Sequence, residues 1–199
     1  ITGPPGWRFT LLSEFKVQNF KRHPLAPCVF IMYDDAQDII GIICVETDDV
    51  LGGGAQEPYF AAVKAIRQKF KFGKWIELME TDGPEQYGGR AITHNQDYGF
   101  PTSMARYLKE RARPIQIERG RSKTPEADAT PGEITGLRCL NGSLSWVAKE
   151  GMPQGSGDAA ILSTTVSGAK VKDLIESSAA LRMLIANDAP IQIRPIPFT

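Results

Sequence analysis

Two adjacent aspartates, Asp48 and Asp49, interrupt the stretch Ile39–Gly54, IIGIICVETDDVLGGG. Carboxylates held side by side on a rigid backbone repel each other unless a cation lies between them. Hard oxygen ligands of this kind suit Mg²⁺, which is usually held by one or two carboxylates plus substrate phosphates. A two-metal site for phosphoryl transfer needs such a pair. The competing reading is a polar turn without an ion, because aspartate is a favoured turn residue. The other chemistry-bearing residues are basic. Lys64, Arg67, Lys69, Lys71 and Lys74 follow one another without an intervening acid. Arg106, Lys109, Arg111, Arg113, Arg119, Arg121 and Lys123 form a second run, with only Glu110 and Glu118 among them. Such runs are the usual electrostatic footprint for phosphates, and a solvated surface is the alternative.

The aspartates need a hairpin to carry them. Pro27–Tyr33 and Ile39–Val45 are apolar, rich in β-branched residues, and read as strands. Asp34–Gln37 reads as the turn between them, and Asp48-Asp49 as the next. Tyr33-Asp34-Asp35 repeats the strand-plus-two-aspartates pattern, but Ala36, Gln37 and Asp38 make it a solvated loop. Ahead of the strands, Gly6–Phe20 has helical spacing (Trp7, Leu11, Phe15), with Pro4-Pro5 as a start and His23-Pro24 as a stop. Gly52-Gly53-Gly54 reads as a flexible exit into a helix, Gln56–Phe70, whose inner face is Phe60, Val63, Ile66 and Phe70. A phosphate-binding P-loop would need Gly-Lys-Ser/Thr where Ala55-Gln56 stand.

Further on, Trp75–Glu80 and Gln86–Ile92 flank Asp82-Gly83-Pro84 and read as a hairpin. Pro101–Leu108 begins a short helix, and Ser122–Ala129 is a linker by composition. Thr130-Pro131-Gly132-Glu133 is a capping box opening a helix through Ile134, Leu137, Leu140, Leu144 and Val147 to about Gly151. Asp158–Thr165 and Lys170–Asn187 read as helices. Pro190–Pro197 reads as an edge strand because of its prolines.

The chain has 199 residues, 42% hydrophobic and 23% charged, with a formal net charge of zero. These are the proportions of an ordinary globular protein. The apolar runs are too short to span a membrane. Residue 1 is Ile, without signal or transit peptide, so the chain reads as cut from something longer. Cys28, Cys44 and Cys139 have neither a zinc spacing nor a disulfide framework, which predicts buried reduced thiols. His23 and His94 stand far apart, and this argues against imidazole metal ligation and a Ser-His-Asp triad.

The order of these parts resembles the reverse transcriptase of copia-type retrotransposon polyproteins over nearly the whole chain. TGPPGW (Thr2–Trp7) is similar to the motif opening a palm helix. APCVFIMYDD (Ala26–Asp35) looks like the strand and hairpin loop around Pro-Cys. VETDDVLGGG (Val45–Gly54) stands where the family has its catalytic hairpin. FKFGKW (Phe70–Trp75) and QYGGR (Gln86–Arg90) resemble the segments after it. TPGEITGLRCLNGSLSWVA (Thr130–Ala148) matches a later helix with a Gly-Ser-Leu core. KVKDLIESSAALRMLI and IQIRPIP look like the last helix and strand before RNase H.

The resemblance implies an α+β fold: a partial right-hand polymerase palm, an antiparallel sheet with helices, over 1–95. A mainly helical thumb-like region would follow over 96–150, and a connection region over 151–199. It implies RNA-directed DNA synthesis with two Mg²⁺ ions. Asp48 would be a metal ligand positioning the primer end and the incoming triphosphate, with Asp49 assisting. Tyr87, Gly88, Gly89 and Arg90 would grip the primer. Arg106, Lys109, Arg111, Arg113, Arg119 and Arg121 would track the duplex. Lys71 or Lys74 would protonate the leaving pyrophosphate. The implied partners are primer–template, deoxynucleoside triphosphate and the rest of the polyprotein: fingers and upstream palm, RNase H and integrase. No membrane is implied, and the setting would be intracellular, in cytoplasm, virus-like particle or nucleus.

The departures matter too. The family's first catalytic aspartate would lie upstream of residue 1, so the fragment alone is expected to be inactive. Glu46 replaces the usual Tyr or His, adding a third carboxylate near two others. Ala26 replaces an Asp, and Met152-Pro153-Gln154 replaces Arg-Pro-Asp. A non-catalytic nucleic-acid-binding remnant is the alternative.

Overall fold

The computed structural model describes residues 5–195 and divides into two compact units, one up to Glu77 and one from Leu78. Among the described residues the fold is α+β, with two four-stranded antiparallel sheets and six α-helices. Thr2–Pro4 of the TGPPGW motif, and the last residues of the expected terminal strand, lie outside the described residues. No described helix is long and apolar enough to cross a membrane.

The first unit runs α1 (Pro5–Val17), β1 (Lys21–Arg22), β2 (Val29–Tyr33), β3 (Ile39–Glu46), β4 (Asp49–Gly54) and α2 (Glu57–Lys69). Its sheet order is β1-β2-β3-β4. The period of two sends Gly41, Ile43 and Val45 toward the helices and Ile42, Cys44 and Glu46 the other way. Leu11 and Phe15 of α1, Phe30 and Met32 of β2, Ile43 and Val45 of β3, and Tyr59 and Ile66 of α2 make one core. Each such side chain contributes roughly 1.5–3 kcal/mol on burial.

α1 ends before His23-Pro24, which corrects the expected stop. Asn19 takes φ 62. Phe20 N–H then reaches Phe15 O at 2.9 Å, and Asn19 N–H reaches Lys16 O at 3.2 Å. This is a Schellman closure, completed by the Phe15 and Phe20 rings at 5.9 Å.

The glycines of β4 are not a flexible exit. They are strand, paired with β3 as Gly41↔Gly54, Ile42↔Gly53 and Ile43↔Gly52. The Tyr59 ring lies across them. A Cβ at Gly41 would sit 2.1 Å from Tyr59 Cδ2, and one at Gly54 2.6 Å from its Cγ. The sheet is bare at this point so that an aromatic ring can cross it. The buried face of α2 is accordingly Tyr59, Ala62 and Ile66, while Phe60 is 54% exposed.

The second unit runs β5 (Glu85–Tyr87), β6 (Arg90–Ile92), β7 (Phe100–Ser103), α3 (Ala105–Arg111), α4 (Pro131–Glu150), α5 (Ser156–Thr164), α6 (Val171–Ala186) and β8 (Ile191–Ile193). Its sheet order is β5-β6-β7-β8, so β8 is an edge strand as expected. The hairpin at 85–92 turns on Gly88-Gly89, with φ 54 and 79, and not on Asp82-Gly83-Pro84. Two central residues at positive φ make a type I′ turn, whose twist suits flanking strands. Trp75–Glu80 is not a strand; Leu78–Glu80 is one 3₁₀ turn. Pro101–Ser103 belongs to β7, and the helix starts only at Ala105.

α4 is the spine of the second unit. Thr130 caps it: its hydroxyl accepts from Glu133 N–H at 3.3 Å, and the Glu133 carboxylate accepts from Thr130 N–H at 2.8 Å. Leu140, Leu144 and Val147 pack against Met104 just before α3, Leu108 of α3, Leu162 of α5 and Leu181 and Leu184 of α6. Leu137 joins Leu174 and Ala169 in a smaller cluster. The three cysteines are unpaired, but Cys28 and Cys139 are exposed, contrary to expectation. Only Cys44 is half-buried, and that burial pushes its thiol pKa up.

Candidate functional site

β3 and β4 pair from Gly41↔Gly54 to Glu46↔Asp49, which leaves Thr47-Asp48 as a two-residue turn. The register therefore separates the two aspartates. Asp48 sits exposed in the turn. Asp49 opens β4 directly opposite Glu46, on the sheet face turned away from both helices. Like charges directly opposite each other on one face are destabilising. The structural pair is thus Glu46–Asp49, with Asp48 one residue beyond it.

Thr47 has φ 57, while Asp48 is not at positive φ. A positive φ at the first central residue alone is the II′ pattern, normally filled by glycine. A β-branched residue there is a genuine outlier. The strain lies beside the carboxylates, and backbone strain of this kind clusters at functional sites.

Asp48 and Asp49 are oxygen donors of the kind Mg²⁺ takes, two at most of the ligands it needs. No group of three or more His, Cys, Asp or Glu among the described residues is arranged to hold a metal. Mg²⁺ is commonly held by one or two carboxylates with water and phosphate completing its shell. Of such a shell Asp48 and Asp49 would be this chain's share. β4 is also the last strand of its sheet, and no strand among the described residues pairs with its outer edge.

Lys71 and Lys74 are exposed on the segment after α2. At about 1.5 Å per residue α2 is about 20 Å long, and β4 at about 3.3 Å per residue is about the same. Val50 of β4 and Phe70 and Phe72 after α2 pack against one core. Lys69 pairs with the buried Glu14, whose pKa is lowered first by this bond and then by the one from Gln18.

The expected primer-grip residues are a β5–β6 hairpin in the second unit. Gly88 and Gly89 are the turn itself, and Tyr87 is half-buried. Arg90 Nη2 lies 2.9 Å from Glu150 Oε2, which ties the hairpin to the end of α4. The Cβ position of Gly89 is 3.9 Å from Trp146 Nε1, so the turn also sits against α4.

The basic cluster divides by role. Arg121 grips Glu133 through two nitrogens, Nε to Oε1 at 3.1 Å and Nη2 to Oε2 at 3.0 Å, and also donates to Asp128 O at 2.8 Å. The Arg121 bond is the main reason the Glu133 pKa falls. This arginine ties the linker to the capping box of α4. Arg113 donates to Lys109 O at 2.8 Å and to Ala112 O at 3.1 Å, closing the end of α3. Arg106 pairs with Glu110 at 2.8 Å on an exposed helix face, a pair worth little. Lys109, Arg111 and Arg119 are exposed. Arg111 and Arg113 line an open cleft of about 390 Å³ against α4, whose wall includes Gly132, Gly136 and Cys139.

Sequence reasoning missed the Arg121–Glu133 clamp, although the capping box already marked Glu133. It also missed the stacking of Arg67 on Trp75, 4.8 Å from guanidinium to ring centroid. The histidines serve local packing: His23 Nδ1 accepts the Leu25 and Ala26 N–H groups, and His94 packs on Tyr98 and Phe100. No family model, curated protein or solved structure matches this chain.

Proposed function

We propose that this chain is part of a reverse transcriptase of the copia-type retrotransposon kind, carrying the acidic hairpin of a palm but not its whole metal site. What supports the reading is the β3–β4 hairpin, with Asp48 in a strained two-residue turn and Glu46 and Asp49 on one face beside it. The ordered motifs of the sequence support it independently. In this reading Mg²⁺ supplies charge neutralisation at the transferring phosphoryl group. Asp48 holds it, Asp49 assists, and an upstream carboxylate completes the set. The outer edge of β4 is the place for an added strand to bring that carboxylate, because its backbone groups adjoin Asp49.

Lys71 or Lys74 protonates the leaving pyrophosphate. The phosphate-tracking surface narrows to Lys109, Arg111 and Arg119, because Arg106, Arg113 and Arg121 are engaged with the protein itself. Tyr87–Arg90 grips the primer mainly through its backbone, since Arg90 pairs with Glu150.

The chain alone binds primer–template in a salt-dependent way and extends nothing. Joined to an upstream strand bearing the further aspartate, it incorporates nucleotide with Mg²⁺, and Asp48→Ala abolishes this. Robust incorporation by residues 1–199 alone would refute the missing-aspartate argument. Incorporation by the joined protein that survives Asp48→Ala would refute the role of Asp48.

A second reading, a non-catalytic nucleic-acid-binding remnant, is favoured by one observation. Glu46 faces Asp49 where the family carries Tyr or His, and this alters the charge of the hairpin. If Mg²⁺ or Mn²⁺ leaves residues 45–50 unperturbed even in the joined protein, this second reading stands.

A further inference from the structure

We infer that the end of α2 and the segment after it form a binding surface for single-stranded nucleic acid, made by Lys64, Arg67, Lys71, Phe72, Lys74 and Trp75. The inference does not rest on the polymerase reading, because it needs neither Asp48 nor a metal.

Lys64 and Arg67 stand three residues apart on exposed positions of α2, so they share one helix face. Lys71 and Lys74 continue the charge past the end of the helix, with no acid between residues 64 and 74. Rings stand among these cations. Phe72 and Trp75 lie edge to face with centroids 5.4 Å apart, and both are half-buried. The Arg67 guanidinium lies over Trp75. In the chain between Phe72 and Trp75, the Cβ position of Gly73 has no heavy atom within 4 Å. The backbone at Gly73 is open, and the edge of the Trp75 indole donates to Glu77 at 3.2 Å.

The combination selects the partner. Phosphates alone would be served by lysines on any surface. Aromatic rings beside a basic track accept unstacked bases, and stacking is tolerant of sequence because every base has a π-face. A duplex keeps its bases stacked on one another and cannot use the rings. An acidic peptide would use the cations and leave the rings idle.

The test uses the 199-residue chain and a fluorescein-labelled single-stranded oligothymidylate in EDTA, read by anisotropy over a range of salt. The expected result is binding that weakens with salt and exceeds binding to a duplex of equal length or to polyglutamate. Lys64→Gln with Lys71→Gln weakens it by about tenfold and lowers the salt slope by about 1.4, from roughly 0.7 per lost single-strand phosphate contact. Both lysines are exposed, so the variant is expected to melt with the parent. Ultraviolet crosslinks of the bound strand map to residues 70–77. Absence of binding, an unchanged slope in the double variant, crosslinks confined to residues 106–119, or equal binding of duplex or polyglutamate would each overturn the proposal. EDTA keeps this outcome separate from any failure of the magnesium site.

Discussion

Thr47 holds a φ of 57 in a turn that glycine would fill without strain. A non-glycine residue in this region costs on the order of 1–3 kcal/mol. Thr47→Gly should therefore raise stability by about 1 kcal/mol in urea unfolding, after the entropy that glycine itself costs. A loss of stability would show that the threonine side chain has a packing role. The glycine floor under Tyr59 gives a paired test. Gly41→Ala drives a Cβ to 2.1 Å from the ring and should cost about 1–3 kcal/mol or more, whereas Gly53→Ala meets nothing within 4 Å and should leave stability nearly unchanged. The Asp-Asp dipeptide was plain in the sequence, but its division between turn and strand was not. That depends on register, which is set by which residues of β3 face the helices. The positive φ of Thr47 left no trace either, because threonine is not a residue from which such a conformation is expected.

Elements with strong local chemistry were readable. The Thr130–Glu133 capping box and the apolar period of α4 specify that helix without help from the rest of the chain. Thr130→Ala should cost about 1 kcal/mol, measured by urea unfolding. Glu133 also links stability to pH. Its pKa is lowered in the fold, chiefly by Arg121, so the carboxylate contributes stability above its ordinary value of about 4.5. That contribution is lost as pH falls through the lowered folded-state value. Glu133→Gln should flatten the acid limb of the melting temperature against pH; an unchanged limb would contradict the assignment. Elements whose form depends on distant partners were misread. Trp75–Glu80 has strand-like composition but no strand pairs with it among the described residues, and Pro101–Ser103 becomes strand because β6 and β8 flank it. Gly88-Gly89 is a legible turn signal between two short strands, and Asp82-Gly83-Pro84 competes with it in the sequence without being the turn. On α2, Ile66 and in part Val63 and Phe70 face the core as the helical period predicts, but Phe60 does not, because Tyr59 uses the glycines of β4, a contact that no helical period reports.

For the molecule as a whole, a net charge of zero conceals segregated basic surfaces. If the second of these carries duplex, Lys109→Ala with Arg111→Ala should lower the salt slope of primer–template binding by about 1.8, from roughly 0.9 per phosphate contact. Arg121→Ala should instead lower the melting temperature and leave the slope alone, because its guanidinium is held by Glu133 and Asp128. The reverse pattern would exchange the roles of these residues. The helical character of the later chain followed from periodicity, and the α+β class from the resemblance. The partition of arginines between surface and scaffold did not, since a basic run looks the same whether its members meet phosphate or a carboxylate of the same protein.

In the proposed function magnesium meets the β3–β4 hairpin. Paramagnetic broadening of amide signals by Mn²⁺, with a nucleoside triphosphate present to supply phosphate oxygens, measures this directly. The predicted result is broadening centred on residues 46–49 at the lowest Mn²⁺ additions, abolished by Asp48→Ala. Broadening spread evenly over other exposed carboxylates, or centred on 46–49 but unchanged in Asp48→Ala, would contradict it.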